Sequence, residues 1–330
     1  MAQSKQLTRW QRIRLRLMRT TLRGLARLPH SFVDKVLVPT LDWLLYHLFK
    51  YRRQVVEENI RLTLTHLSPA EQKEVGRRFY RHLAELMLHE ARYAYRSDEQ
   101  VRQLFRLEQT ELLDQLYEAG HRQLFVLLGH IGPWELMGSS ALHLDRSRYQ
   151  VHVIYKQLHN PVADQLTREM REQHYAQCIE MTQLARTLIR HQSEQTEQTE
   201  QTDGRMHIYC LLADQSPSYE QMRYAISLFG RTTPFVTGWS HLATKLQIPL
   251  LFYEIRYDDP AKQWVGTFRL LCEHPTDKLQ HQLIDDYVTL LEENIRLAPH
   301  RWLWSHKRWR FDPHDFPQMV YSPRCDDLSL

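Results

Sequence analysis

From residue 123 onward, short apolar runs alternate with helix-patterned segments, and this alternation narrows the fold more than any other feature. The runs at 123–128, 149–155, 207–212, 249–256 and 267–271 are too short for buried helices and too apolar for loops. Helical periodicity falls between and after them, at 134–142, 161–175, 182–191, 237–246 and 279–298. Strands separated by helices predict an α/β fold: a central mixed sheet of about six or seven strands flanked by helices, with a crevice at the strand ends. Hydrophobic residues make up 42% of the 330 positions, enough for a sizeable core.

Residues 52–95 read as two helical stretches broken near Leu67-Ser68-Pro69. Ser68 suits an N-cap, Pro69 the first helical position and Glu71 the capping-box position. A third helix is expected over 98–119, ending at Gly120. The repeated Glu-Gln-Thr of 193–202 reads as a solvent loop without chemistry.

The net charge of +4 is mild, but its distribution is not. Residues 1–30 hold Lys5 and seven arginines, Arg12 and Arg16 among them, and no acidic residue. Trp10, Ile13, Leu17, Met18, Leu22 and Leu25 form an apolar stripe at helical spacing. Such a helix suits the headgroup layer of an anionic membrane. A solvated helix packed on its own domain fits the same pattern. A nucleic-acid arm fits poorly, because aromatic residues are sparse. Trp43 and Tyr46, in the apolar segment 41–49, suit a membrane interface or a core. The best spanning candidate, 36–49, is short of the roughly 20 residues required and contains Pro39, Asp42 and His47, so no spanning helix is predicted. The first thirty residues lack the apolar core of a signal peptide. Cys178, Cys210, Cys272 and Cys325 are widely spaced, as expected of free thiols in a reducing compartment. The histidines, including His152, His159, His174 and His306, show no metal-binding spacing, and no metal or cofactor is expected.

The chemistry concentrates at Leu127-Leu-Gly-His-Ile-Gly-Pro-Trp-Glu-Leu-Met137. An apolar strand ends at Leu128, and Gly129 and Gly132 permit an unusual backbone path. Pro133 suits a helix start, so His130 is expected on a strand-to-helix loop and Glu135 in the first helical turn. On one continuous helix His130 and Glu135 would lie about 140° apart. A helix starting at Pro133 lets the loop fold His130 back toward Glu135. A carboxylate on one imidazole nitrogen makes the other a base toward a hydroxyl attacking a thioester. No nucleophile elbow accompanies the pair, which favours direct transfer over a covalent intermediate.

This segment resembles the H-x4-D/E motif of the bacterial lipid A biosynthesis late acyltransferases, a family that includes the phosphatidylinositol mannoside acyltransferases. Further stretches are similar in order and spacing from about residue 50 to 312. They are Tyr51-Arg-Arg through Asn59, Asn160-Pro161 through Arg171, Leu212-Ala-Asp-Gln215, Phe229-Gly-Arg through Gly238, and Arg301-Trp-Leu-Trp-Ser-His-Lys-Arg-Trp309. The resemblance implies a glycerolipid acyltransferase-like fold. It divides the chain into membrane-associating helices at 1–50 and an acyltransferase domain at 51–330: helical to 120, α/β over 121–312 and a tail from 313.

The resemblance also implies roles. His130 is the general base, Glu135 its orienting partner, and Asp214 a further catalytic carboxylate that binds the acceptor or positions His130, with Gln215 beside it as a substrate- or phosphate-binding residue. Arg171 and Arg231 hold phosphate or stabilise the carbonyl oxygen. The mixed indoles and cations from Trp302 to Arg310, with Lys307 and Arg308, anchor at a headgroup layer or cradle phosphates. Trp10, Arg12, Arg16 and Trp43 are the expected membrane contacts. The implied reaction moves an acyl chain from an acyl carrier protein or coenzyme A thioester to a hydroxyl of a lipid A precursor or related glycolipid or aminolipid, at the cytoplasmic face of the bacterial inner membrane. The alternatives are an acyl hydrolase using the same residues and a non-catalytic membrane scaffold; nucleic acid is not an expected partner.

Overall fold

The computed structural model describes residues 7–196, 204–312, 315–316 and 318–325. Its strands are β1 (Phe105–Glu108), β2 (Gln123–Leu128), β3 (Tyr149–Tyr155), β4 (Gln177–Glu180), β5 (Met206–Leu212), β6 (Tyr224–Leu228), β7 (Arg231–Phe235), β8 (Leu250–Asp258), β9 (Gln263–Cys272) and β10 (Val320–Tyr321). Seven strands form a mixed sheet in the order β1-β9-β8-β2-β5-β3-β4, in which only β8 and β9 are antiparallel. This is the expected α/β architecture. The strand order turns at β2, so the chain leaves the sheet to opposite sides at the ends of β2 and its neighbours.

Strand β2 is buried along its whole length, which explains its unbroken apolar run. Successive side chains point to opposite faces. Phe125 and Leu127 enter the core shared with helix Gln280–Leu297, whereas Leu124, Val126 and Leu128 join the core under β3 and β9.

Three local expectations are corrected, and two further elements are added. The helix read over 98–119 is helix Asp98–Arg102, strand β1 and helix Glu111–Glu118. Pairing of Phe105–Glu108 along the β9 edge overrides helix propensity, and Gln109, at φ +59°, turns the chain afterwards. Segment Trp134–Leu142 is a 3-10 helix rather than an α-helix. Strands β6 and β7 form a hairpin whose turn residues Phe229 and Gly230 both have positive φ, as a two-residue hairpin turn requires. The C-terminal stretch contributes β10 to that small sheet. The Glu-Gln-Thr loop begins as the end of helix Leu184–Thr196, and 197–203 lie outside the described residues.

Helix Arg9–Arg27 starts at a Thr8/Gln11 capping box. It packs Leu15 against Val162 and Leu166 of helix Pro161–Glu172 and pairs Arg19 with Glu169. The stripe residues Trp10, Ile13, Leu17 and Met18 face away from the domain, Trp10 at 76% exposure. Residues 30–48 continue as helix with π-helical stretches at Val33–Leu37 and Leu44–Leu48. Val33, Val38 and Leu45 enter the main core, and Asp42 is held by both Nη atoms of Arg77. Phe32, Val36, Trp43, Leu48 and Phe49 remain exposed. No helix among the described residues is long and apolar enough to cross a membrane.

Candidate active site

Leu128 of β2 and Leu212 of β5 are register partners in parallel strands. Both chains run two residues further before reaching His130 and Asp214, so the two side chains emerge side by side at the strand ends. His130 Nδ1 lies 2.5 Å from Asp214 Oδ1, and the His130 main-chain N–H donates to Oδ2 at 3.0 Å. Trp302 Nε1–H donates to Oδ2 at 2.9 Å, and Arg308 Nη2 approaches it at 3.4 Å. Full burial pushes the Asp214 carboxyl up, but adjacent His130, its hydrogen bonds and Arg308 hold it well below the usual carboxylate range. A carboxylate accepts only, so Nδ1 carries a proton and Nε2 keeps a lone pair in the neutral ring. The exposed side chain of Gln215 places its amide nitrogen 2.9 Å from that Nε2.

The loop is shaped for this geometry. A Cβ on Gly129 would fall 2.5 Å from Leu291 and 3.5 Å from Asp214 Oδ2. Gly132 has φ +55°, and a Cβ there would lie 2.6 Å from Trp264. The loop is also stitched to the C-terminal segment: Leu303 N–H donates to His130 O, Gly132 N–H to Arg301 O, and Ile131 bridges to Trp302. Tyr287 donates its hydroxyl to Leu128 O at 3.0 Å, fixing the end of β2.

Glu135 is not the carboxylate on His130; that position belongs to Asp214. Glu135 lies in the first turn of the 3-10 segment, as anticipated, but both its oxygens accept from Arg171 at 2.6 Å. The pair ties that segment to helix Pro161–Glu172. The reason is geometric: a 3-10 turn starting after Pro133 aims Glu135 at the neighbouring helix, while sheet register brings Asp214 to the imidazole. Glu90, on helix Pro69–Tyr93, stands beside this pair. Burial and the Glu135 charge push its carboxyl well above the usual range.

The basic candidates separate. Arg308 is buried against Asp214 and the Trp302 ring, so it serves the carboxylate from inside the core rather than an open phosphate site. Trp302 and Trp304 are likewise core residues, at 2% and 1% exposure, not headgroup anchors. Lys307 is exposed, and the Arg231 guanidinium lies 5.3 Å over the Trp309 ring. Trp10, Arg12, Arg16 and Trp43 are exposed. Sequence reasoning placed Trp302 and His306 only in a headgroup- or phosphate-binding segment, not as partners of Asp214 and Ser216, and it did not mark Tyr287. Ser216 N–H donates to His306 Nε2 at 3.3 Å, and burial, then Arg308, pushes His306 down to about 4. The Trp-x-Trp-x-His spacing was the available signal for Trp302 and His306; nothing local marked Tyr287.

A sequence model of a family described as bacterial lipid A biosynthesis acyltransferase matches residues 2–311. A search of curated proteins returned no match.

Proposed function

The chain belongs to the bacterial lipid A biosynthesis acyltransferase family, and from that footing we propose that it transfers an acyl group from a thioester to a lipid hydroxyl with His130 as general base. Membership supports an acyltransferase acting on lipid A-like substrates. The finer reading is carried by one observation, the line Asp214–His130–Gln215 at the ends of adjacent parallel strands.

In this reading the acceptor hydroxyl replaces the Gln215 amide at His130 Nε2. As Nε2 takes the hydroxyl proton, the hydroxyl oxygen bonds to the thioester carbonyl carbon and negative charge gathers on the carbonyl oxygen. The C–S bond then breaks, an ester forms, and Nε2–H returns the proton to the departing thiolate. Asp214 holds the productive tautomer and stabilises the imidazolium. Glu135 and Arg171 act as a positioning pair, keeping the segment after His130 against helix Pro161–Glu172. Arg171 and Arg308 have their charge matched by carboxylates, so Lys307 and Arg231 are better suited to an anionic group of either substrate. The thioester belongs to acyl carrier protein or coenzyme A, and no resident cofactor is required.

The exposed Trp10, Leu17, Trp43 and Phe49, with Arg12 and Arg16, support a protein that lies on an anionic membrane, at the cytoplasmic face of the inner membrane. The test incubates the purified chain with palmitoyl- or myristoyl-thioester and a lipid A precursor, followed by mass spectrometry. A product heavier by one ester-linked acyl group is expected. Free fatty acid formed at the same rate without acceptor would instead indicate a hydrolase. Flotation with vesicles containing phosphatidylglycerol, but not pure phosphatidylcholine, checks the membrane reading.

A further inference from the structure

Beside the His130 loop lies a pocket of about 640 Å³, bounded by helix Pro69–Tyr93, Pro133, Trp264 and the turn at Arg301. Its acidic lining is largely committed: Asp34 to His30 and His89, and Glu85 to Arg81 and His82. Of its arginines Arg81 is committed to Glu85, whereas Arg78 and Arg301 are not salt-bridged. Among the described residues neither Arg78 nor Arg301 has a carboxylate oxygen within 4.0 Å. Arg78 Nη2 instead lies 3.3 Å from His300 Nε2. The Arg301 guanidinium lies over the rings of Tyr257 and Trp264, at 4.9 and 5.0 Å. Burial and the neighbouring cations Arg78 and Arg301 push His300 down to about 3. Asp259 and Glu85 act on Arg301 only from beyond salt-bridge distance, and two guanidinium groups without a bridged carboxylate, converging on one half-enclosed space, form a site for a compact, multiply charged anion.

The position narrows the ligand. At the inner end Glu90 lines the pocket and stands beside Glu135, while the Arg301 carbonyl accepts the Gly132 N–H of the His130 loop. At the outer end His30 and Asp34 line the pocket, on the same helical segment that exposes Phe32 and Val36. An anion held here is therefore near the reacting centre on one side and an apolar rim on the other, as for the headgroup of an amphiphile. We propose that this pocket receives a phosphoryl group of the lipid acceptor, with Arg78 and Arg301 as its charged contacts and His300 as a further donor. The identity of the substrate carrying that group rests on the acyltransfer reading; the anion site itself does not.

Two arms test it on the full chain. Calorimetry with inorganic pyrophosphate is expected to show binding that Arg78→Gln and Arg301→Gln each weaken roughly 10- to 100-fold. In transfer assays the same variants should raise KM for a phosphorylated lipid acceptor by a similar factor, leaving KM for the thioester and kcat within about twofold. Arg78 is exposed, so Arg78→Gln should keep the wild-type melting temperature and decides the matter if Arg301→Gln loosens the fold. Unchanged pyrophosphate binding would overturn the proposal. So would a rise in KM for the thioester alone, which would give the pocket to the donor. If the wild type acylates no phosphorylated lipid, the acyltransfer reading fails while the pyrophosphate arm still judges the anion site.

Discussion

Asp214→Asn removes one charge from a fully buried carboxylate that receives four approaches: the His130 main-chain N–H, His130 Nδ1, Trp302 Nε1 and Arg308 Nη2. An amide keeps the shape but has one acceptor oxygen and one NH2. If the oxygen faces the Oδ2 donors, the NH2 faces Nδ1, and the ring must move its proton to Nε2, destroying the base. If the oxygen faces Nδ1, three donors meet an NH2. The first arrangement is cheaper, so loss of general-base catalysis is expected, a rate decrease of about 10²- to 10⁴-fold. Arg308 also loses its buried counter-charge, which costs about 3–5 kcal/mol of stability. Thiol release from the acyl thioester in the presence of acceptor measures the rate, and thermal unfolding measures the rest. Glu135→Gln serves as comparison, since it weakens the Arg171 pair without touching the imidazole. A folded Asp214→Asn variant within tenfold of wild-type rate would refute the assignment of Asp214 to His130, most sharply if Glu135→Gln were then the inactive protein.

Glu90, raised above its ordinary value near 4.5, binds a proton in the folded state that the unfolded chain releases, so its contribution to stability declines as pH rises past 4.5. Glu90→Gln should therefore raise the melting temperature at pH 8 and leave it nearly unchanged at pH 4.5. His306, held at about 4 against an ordinary 6.5, favours the folded state fully above pH 6.5 and less as pH falls toward 4. His306→Asn should flatten that acid decline in a melting-temperature series. Gly132→Ala introduces a Cβ at φ +55° and 2.6 Å from Trp264, at a cost on the order of 1–3 kcal/mol. Because the strained loop carries His130, transfer should slow as the melting temperature drops.

The central strands were legible because burial on both faces leaves a largely apolar run, complete in burial at 123–128 and partial at 207–212, which opens on His207. Strand β1 was not, because Phe105–Glu108 becomes a strand only by pairing with β9, more than 150 residues away in the chain. The placement of His130 on a strand-to-helix loop followed from Gly129, Gly132 and Pro133. Its carboxylate partner was legible only in part: the resemblance offered Asp214 as one that could position His130, but proximity in sequence favoured Glu135 as the orienting partner, while the register of β2 with β5 favours Asp214. The tryptophans near the C-terminus were ambiguous for a similar reason: composition alone does not distinguish an indole at a headgroup from one donating to a buried aspartate, as Trp302 does.

If His130 is the base, His130→Ala protein with an unchanged melting temperature should release thiol from an acyl thioester, in the presence of its lipid acceptor, at least about 10²-fold more slowly than wild type. Turnover within tenfold of wild type by that folded variant would contradict the assignment.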